Sequence, residues 1–126
     1  MLIGRAASRP EDEPEWMYFY GEDWFTLQRG MSELHLGNWH DAVGLLSAGL
    51  TAIPEWYRRD RAWYGACLAS AHAGAGDAEE AAAVAVEFAE DIKAVNSYAR
   101  SELLDAAGVL DRIGARQAGV IREALR

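Results

Sequence analysis

Three histidines and one cysteine are the residues of this chain best suited to ligate a metal, and their spacing speaks against it. His35 and His40 stand five residues apart, as do Cys67 and His72. On a helix a five-residue step turns two side chains away from each other, whereas a shared metal needs i, i+4. No metal site is expected, and Cys67 reads as a small buried hydrophobe. The acidic run Asp77, Glu79, Glu80, Glu87, Glu90, Asp91 supplies carboxylates. Acid–base catalysis would need two of them converging in a dry cleft, and this run reads instead as a solvated helix face. Gly74-Ala75-Gly76 lacks the preceding strand and the third glycine of a dinucleotide loop. No serine sits in a nucleophile elbow. The chain therefore reads as a non-enzyme that needs no cofactor.

The remaining chemistry is that of binding. Trp16, Tyr18, Phe19, Tyr20, Trp24 and Phe25 place six of the 13 aromatic residues within ten positions. Such a cluster is either a contact platform, since aromatics dominate interaction hot spots, or the cover over an open end of packed helices. Arg58, Arg59 and Arg61 form the one basic cluster and are expected in a loop. They suit bidentate anchoring of a carboxylate or acidic partner; the plainer reading is a solvated loop pairing with the acidic helix that follows.

The 126 residues carry a net charge of −8, with 51% hydrophobic and 25% charged residues. This is the balance of one globular domain. The negative charge argues against nucleic-acid binding by this segment. No apolar run approaches the ~20 residues of a membrane span, residues 1–15 lack a signal-peptide core, and a single cysteine forms no intrachain disulfide. A cytoplasmic location is the expectation. Alanine occurs 24 times, favouring helices that pack closely, and strand patterns are almost absent.

An internal repeat organises these features. Pro14-Glu15-Trp16 returns as Pro54-Glu55-Trp56. In a register of 39, Trp24-Phe25 then matches Trp63-Tyr64, Gly37-Asn38 matches Gly76-Asp77, Ala42 matches Ala81, and Ile53 matches Ile92. Each repeat reads as two helices. The first pair spans Glu22 to Leu36 and Trp39 to about Ile53, separated by a Gly37 stop and an Asn38 cap with Asp41 as partner. The second runs from Arg61, capped by Asp60, to about Ala73, then from Ala78 to about Val95, with Asp77 and Glu80 as a capping box. A third, weaker pair follows Asn96-Ser97 to about Ile113 and Arg116 to Leu125, broken at Gly114. Residues 1–13, with Pro10 ahead of Glu11-Asp12-Glu13, read as a linker or the tail of a truncated helix. Residues 14–126 form the repeat domain, with repeats at about 14–53, 54–95 and 96–126.

A helix pair with small residues in each helix, a Gly-Asn or Gly-Asp turn and a trailing proline resembles the tetratricopeptide repeat. Gly30 and Ala69 fall at the small position of that family's first helix. Ala42 and Ala81 take the early small position of the second. Leu46 and Ala85 stand at its large apolar position, Gly49 and Phe88 at its later small one, and Pro54 closes the first repeat. Phe88 is large there, Ala85 is small, and the period exceeds the family's roughly 34 residues. More narrowly, residues 14–20, Leu36-Gly37, Arg59-Asp60-Arg61-Ala62, the Gly-Asp turn with Glu79-Glu80-Ala81, and Ser97-Tyr98-Ala99-Arg100 occur in an order similar to the C-terminal repeat region of actinobacterial helix-turn-helix transcriptional regulators. The resemblance covers about Glu13 to Arg126.

The resemblance implies an all-α, right-handed solenoid of about three antiparallel helix pairs, with the first helix of each pair lining a concave groove. Trp24, Leu27, Met31, Leu34 and His35 would face it from the first repeat, and Trp63, Ala66, Ser70 and Ala73 from the second. Met and Trp together suit a peptide or a small apolar ligand. The expected function is non-catalytic binding of a protein, a peptide or a small signal by a regulatory segment, with DNA contacted by a separate N-terminal domain. The alternative is a dimerisation or assembly module using Trp16, Tyr18, Phe19 and Tyr20 to form a homodimer. A remote third reading, a small helical enzyme, has no convergent catalytic set to support it.

Overall fold

A computed structural model describes residues 21–126, and the ordered elements among them are all helices. Helix α1 (Glu22–Leu36) opens with Glu22 and Asp23, whose charges suit the positive end of the helix dipole. It stops at Gly37, which sits in the left-handed region at φ 78°, while the Asn38 N–H donates to the Glu33 carbonyl at 2.9 Å. Helix α2 (Trp39–Ala52) follows at once. Asn38 occupies the cap position, but its amide donates sideways to Glu33 Oε1 at 2.6 Å, so the expected cap with Asp41 does not form. Ile53 is extended, as a residue before proline must be, and α2 ends there.

Helix α3 (Arg58–Gly74) begins three residues before the expected Arg61 start. Asp60 is not its cap; it lies in the first turn, where the dipole favours a carboxylate. Gly76, at φ 80°, turns the chain into α4 (Ala78–Val95), and Asp77 accepts the Glu80 N–H at 3.5 Å. Asn96 then has two tasks. Its Oδ1 accepts the Ala99 N–H at 3.0 Å, capping α5 (Ser97–Arg112), and its Nδ2 donates to the Arg59 carbonyl at 3.3 Å, tying α5 to the start of α3. Gly114, at φ 73°, leads into the short α6 (Gln117–Ala124).

Each helix packs on the next across these short connections. In addition α3 packs on α5 and touches α1, and α6 rests on both α4 and α5. Helix α3 thus has neighbours on every side. Nine of its residues are buried, among them Ala62, Gly65, Ala66, Cys67, Ala69, Ala71 and Ala73. From Ala62 to Gly74 no residue of α3 is exposed, as a central position demands, and small side chains let several partners come close. Polar ties are few and lie at the edges: Gln28 Nε2 donates to Tyr64 Oη at 2.8 Å, and Arg58 pairs with Asp91 at 2.8 Å. No buried polar or charged residue occurs in the described part of the chain.

The first two helix pairs solve the same packing problem in opposite ways. Between α1 and α2, the Leu27 side chain fills the space over Gly49; a Cβ on Gly49 would lie 2.5 Å from it. Leu46 likewise covers Gly30. In the 39-residue register Leu27 becomes Ala66 and Gly49 becomes Phe88. The bulk has moved to the second helix, and the glycine has moved to the first: a Cβ on Gly65 would lie 2.5 Å from the Phe88 ring. The large Phe88 is thereby accommodated next to Ala66, which stands where the first pair has Leu27. Interiors are close-packed, so volume removed from one helix must be returned by the other.

This predicts opposite outcomes for two glycines. Gly65→Ala drives a methyl group into Phe88 and is expected to destabilise by about 1–3 kcal/mol. Gly108→Ala, in α5 with no other group within 4 Å of the added methyl, is expected to stabilise by about 0.5–1 kcal/mol. Urea denaturation measures both; a Gly65→Ala chain as stable as the parent would refute the close approach of α3 and α4.

Candidate functional site

A largely apolar recess of about 460 Å³ is walled by α1, α3 and α5. Met31, Leu34 and His35 enter from α1 at i, i+3, i+4. Trp63, Cys67, Ser70 and Gly74 enter from α3 at i, i+4, i+7, i+11. Glu102, Asp105, Ala106 and Val109 enter from α5 at i, i+3, i+4, i+7. These are the spacings that put residues on one helix face. Trp39, the first residue of α2, completes the wall. Its indole lies on Gly74 so closely that any side chain there would displace it.

Five of the expected groove residues are brought together here: Met31, Leu34, His35, Trp63 and Ser70. Leu27 is not among them. It shares the helix face of Met31 and Leu34 but stands nearer the start of α1, where it is fully buried over Gly49 of α2. Trp24 does not line the recess either; it is half-buried near the start of α1, edge-to-face with Phe25 at 5.2 Å. Ala66 and Ala73 are core residues. Trp16, Tyr18, Phe19 and Tyr20, the expected interface, lie outside the described residues.

Seven lining residues were not among the expected groove residues: Trp39, Cys67, Gly74, Glu102, Asp105, Ala106 and Val109. Trp39 was hidden because it opens the second helix of its pair and its register equivalent is Ala78. Glu102, Asp105 and Val109 were hidden because the third repeat matches the others weakly. The i, i+3, i+7 spacing of those three was the available signal.

The arginines do not form one anchor. They lie in the first turn of α3, not in a loop, and successive helical positions point in different directions. Arg58 reaches Asp91. Arg61 donates to the Ile53 carbonyl at 3.3 Å, which fastens the α2–α3 connection, and stacks its guanidinium 5.4 Å above the centre of the Phe88 ring of α4, a cation–π contact. Arg59 lines a second, shallower recess with Asp60, Trp63, Asn96 and Tyr98. Burial raises the Asp60 carboxyl above its ordinary range, and the neighbouring Arg59 charge pulls it partly back.

The main recess is polar along one edge. Ser70 Oγ donates to Glu102 Oε2 at 2.7 Å, joining α3 to α5, and Asp105 lies one turn further along. Among the described residues neither Glu102 nor Asp105 has a cationic side chain paired with it. Cys67 forms part of the floor and is fully buried. Burial, and to a lesser degree the Glu102 charge, push its thiol far above the usual range. A thiol held neutral is neither a nucleophile nor a ready metal ligand. Among the described residues no three His, Cys, Asp or Glu side chains gather as a metal site would require, and no helix is long and apolar enough to cross a membrane. The arrangement offers apolar area, two indoles and two carboxylates, which are the means of binding.

Cys67 is accordingly expected to react with a disulfide reagent at least about a hundredfold more slowly in the native chain than in urea, because reaction requires an opening of the structure. A fast native reaction, followed by the absorbance of released thiol, would contradict the closed floor.

Against protein-family models, curated proteins and solved structures, the chain finds no match.

Proposed function

We propose that this chain is a non-catalytic binding domain of tetratricopeptide type, and that its site is the recess between α1, α3 and α5. The observation that carries this reading is the origin of the lining: the first helix of each pair, and one residue of α2, supply the whole wall. A stack of helix pairs presents its first helices along one concave face, and such faces are where helical-repeat proteins bind. The 39-residue register and the pairwise packing of α1 on α2, α3 on α4 and α5 on α6 support the same architecture.

The volume, near 460 Å³, falls in the range of small-molecule sites. It suits a small ligand, or one or two side chains of a peptide. The recess bridges three helices, so an occupant that fits one spacing of α3 and α5 better than another would shift their packing, provided its affinity differs between the two states. That is the property a sensing segment needs. On the narrower resemblance, the wider role is the regulatory part of a transcriptional regulator, with a partner or signal as input.

Native mass spectrometry of the purified chain tests the reading. The expected result is a monomer retaining a small added mass, and Trp63→Ala should lose it. A bare dimer would overturn the binding reading and favour an assembly module.

A further inference from the structure

We propose that the recess takes a small organic cation, an amine or guanidinium on an apolar body, with its charge at Glu102 and Asp105 and its body against Trp39, Trp63 and Met31. The proposal rests on the recess being the binding site and names the chemistry of its ligand.

Four observations carry it. The first is charge. Glu102 and Asp105 lie one helical turn apart on the recess wall, and among the described residues no cationic side chain pairs with either. The second is the distribution of the basic groups. Arg58, Arg59 and Arg61 are held at the start of α3, with Arg58 on Asp91 and Arg61 on Ile53 and Phe88. Arg100 donates to the Leu125 carbonyl at 2.6 Å, and Arg122 pairs with Asp111. His35 is the one basic side chain on the recess wall. The third is the pair of indoles. The face of a tryptophan attracts cations, and aromatic walls beside carboxylates are how ammonium groups are held. The fourth is preorganisation. Ser70 holds one oxygen of Glu102 at 2.7 Å, which fixes the carboxylate at the recess edge, and Gly74 lets the Trp39 indole settle against α3.

An anion is disfavoured by the same inventory, since it would meet two carboxylates and at most one imidazolium. A wholly apolar ligand would cover the Glu102 carboxylate, which has the Ser70 hydroxyl but no cation, and offer it nothing in return. The volume of about 460 Å³ favours a compact small molecule over an extended peptide.

Three probes share one aromatic body and differ in charge: phenethylamine, 2-phenylethanol and phenylacetate. Their binding is read by tryptophan fluorescence and by calorimetry at low salt. Phenethylamine should bind about tenfold more tightly than the alcohol, with phenylacetate weakest. Glu102→Gln, which keeps an acceptor for Ser70, and Asp105→Asn, at an exposed position, should each bring the amine toward the alcohol and leave the alcohol unchanged. If the alcohol or phenylacetate binds as well as the amine, and Trp63→Ala abolishes that binding, the recess is a site but not one for cations, and this proposal fails alone. If none of the three binds at millimolar concentration and the chain purifies without added mass, the site itself is refuted. Binding of a blocked arginine amide tenfold tighter than phenethylamine would replace the small molecule with a basic side chain of a partner protein.

Discussion

Helix α3 has neighbours on all sides, and that single constraint explains most of its sequence and much of everyone else's. A helix that must accept α1, α2, α4 and α5 around its axis has no free face on which to carry large side chains. Its buried positions are accordingly Ala, Gly and Cys with only Tyr64 and Leu68 larger, and Trp63 and His72 sit half-buried at its margins. The partners supply the bulk. Phe88 from α4 fills the place over Gly65, and Trp39 from α2 lies on Gly74. Large-to-small interlocking of this kind gives native packing density without long side chains on the central element. It leaves little tolerance, because a methyl group added where two backbones already approach has nowhere to go.

The recess follows from the same constraint. Beyond Trp63, the α3 residues that face the angle between α1, α3 and α5 are the small Cys67, Ser70 and Gly74. Met31 and Leu34 come from α1 and Ala106 and Val109 from α5, and they line the recess without closing it. The open space is thus a consequence of α3 being slender. Its walls are set by contacts that lie behind them: Leu27 on Gly49 and Leu46 on Gly30 hold α1 against α2, and Asn96 fixes the start of α5 to the Arg59 carbonyl. The residues that shape the site are mostly not the residues that line it.

Helix boundaries were legible because they rest on local chemistry. Gly37, Gly76 and Gly114 each take a positive φ that other residues avoid, and Pro54 forces Ile53 out of the helix. The start of α3 was not legible. It has no capping side chain, since Tyr57 makes no cap hydrogen bond, so Asp60 drew attention as the nearest capping type. Which face of a helix meets a partner was legible only in part. Met31, Leu34 and His35 line the recess, whereas Leu27, on the same face but a turn nearer the start of α1, is taken up over Gly49. Periodicity gives the direction of an apolar face and says little about which of two neighbours it meets. The acidic edge was missed for a different reason: Glu102 and Asp105 look like ordinary solvated helix charges until α3 is placed beside them.

The Ser70–Glu102 hydrogen bond is the one polar link between α3 and α5 within the recess, and its position gives it a mechanical meaning. The α3–α5 contact otherwise depends on small apolar residues, whose dispersion contacts fall off steeply with separation. A carboxylate pulled toward an occupant in the recess would lengthen or break its bond to Ser70, and the α3–α5 spacing would have to be set by packing alone. A group that instead bound Glu102 through its second oxygen would leave the bond intact and add a bridge beside it. On the proposed reading, two occupants of equal affinity would therefore have opposite effects on the α3–α5 spacing, according to which oxygen of Glu102 each takes.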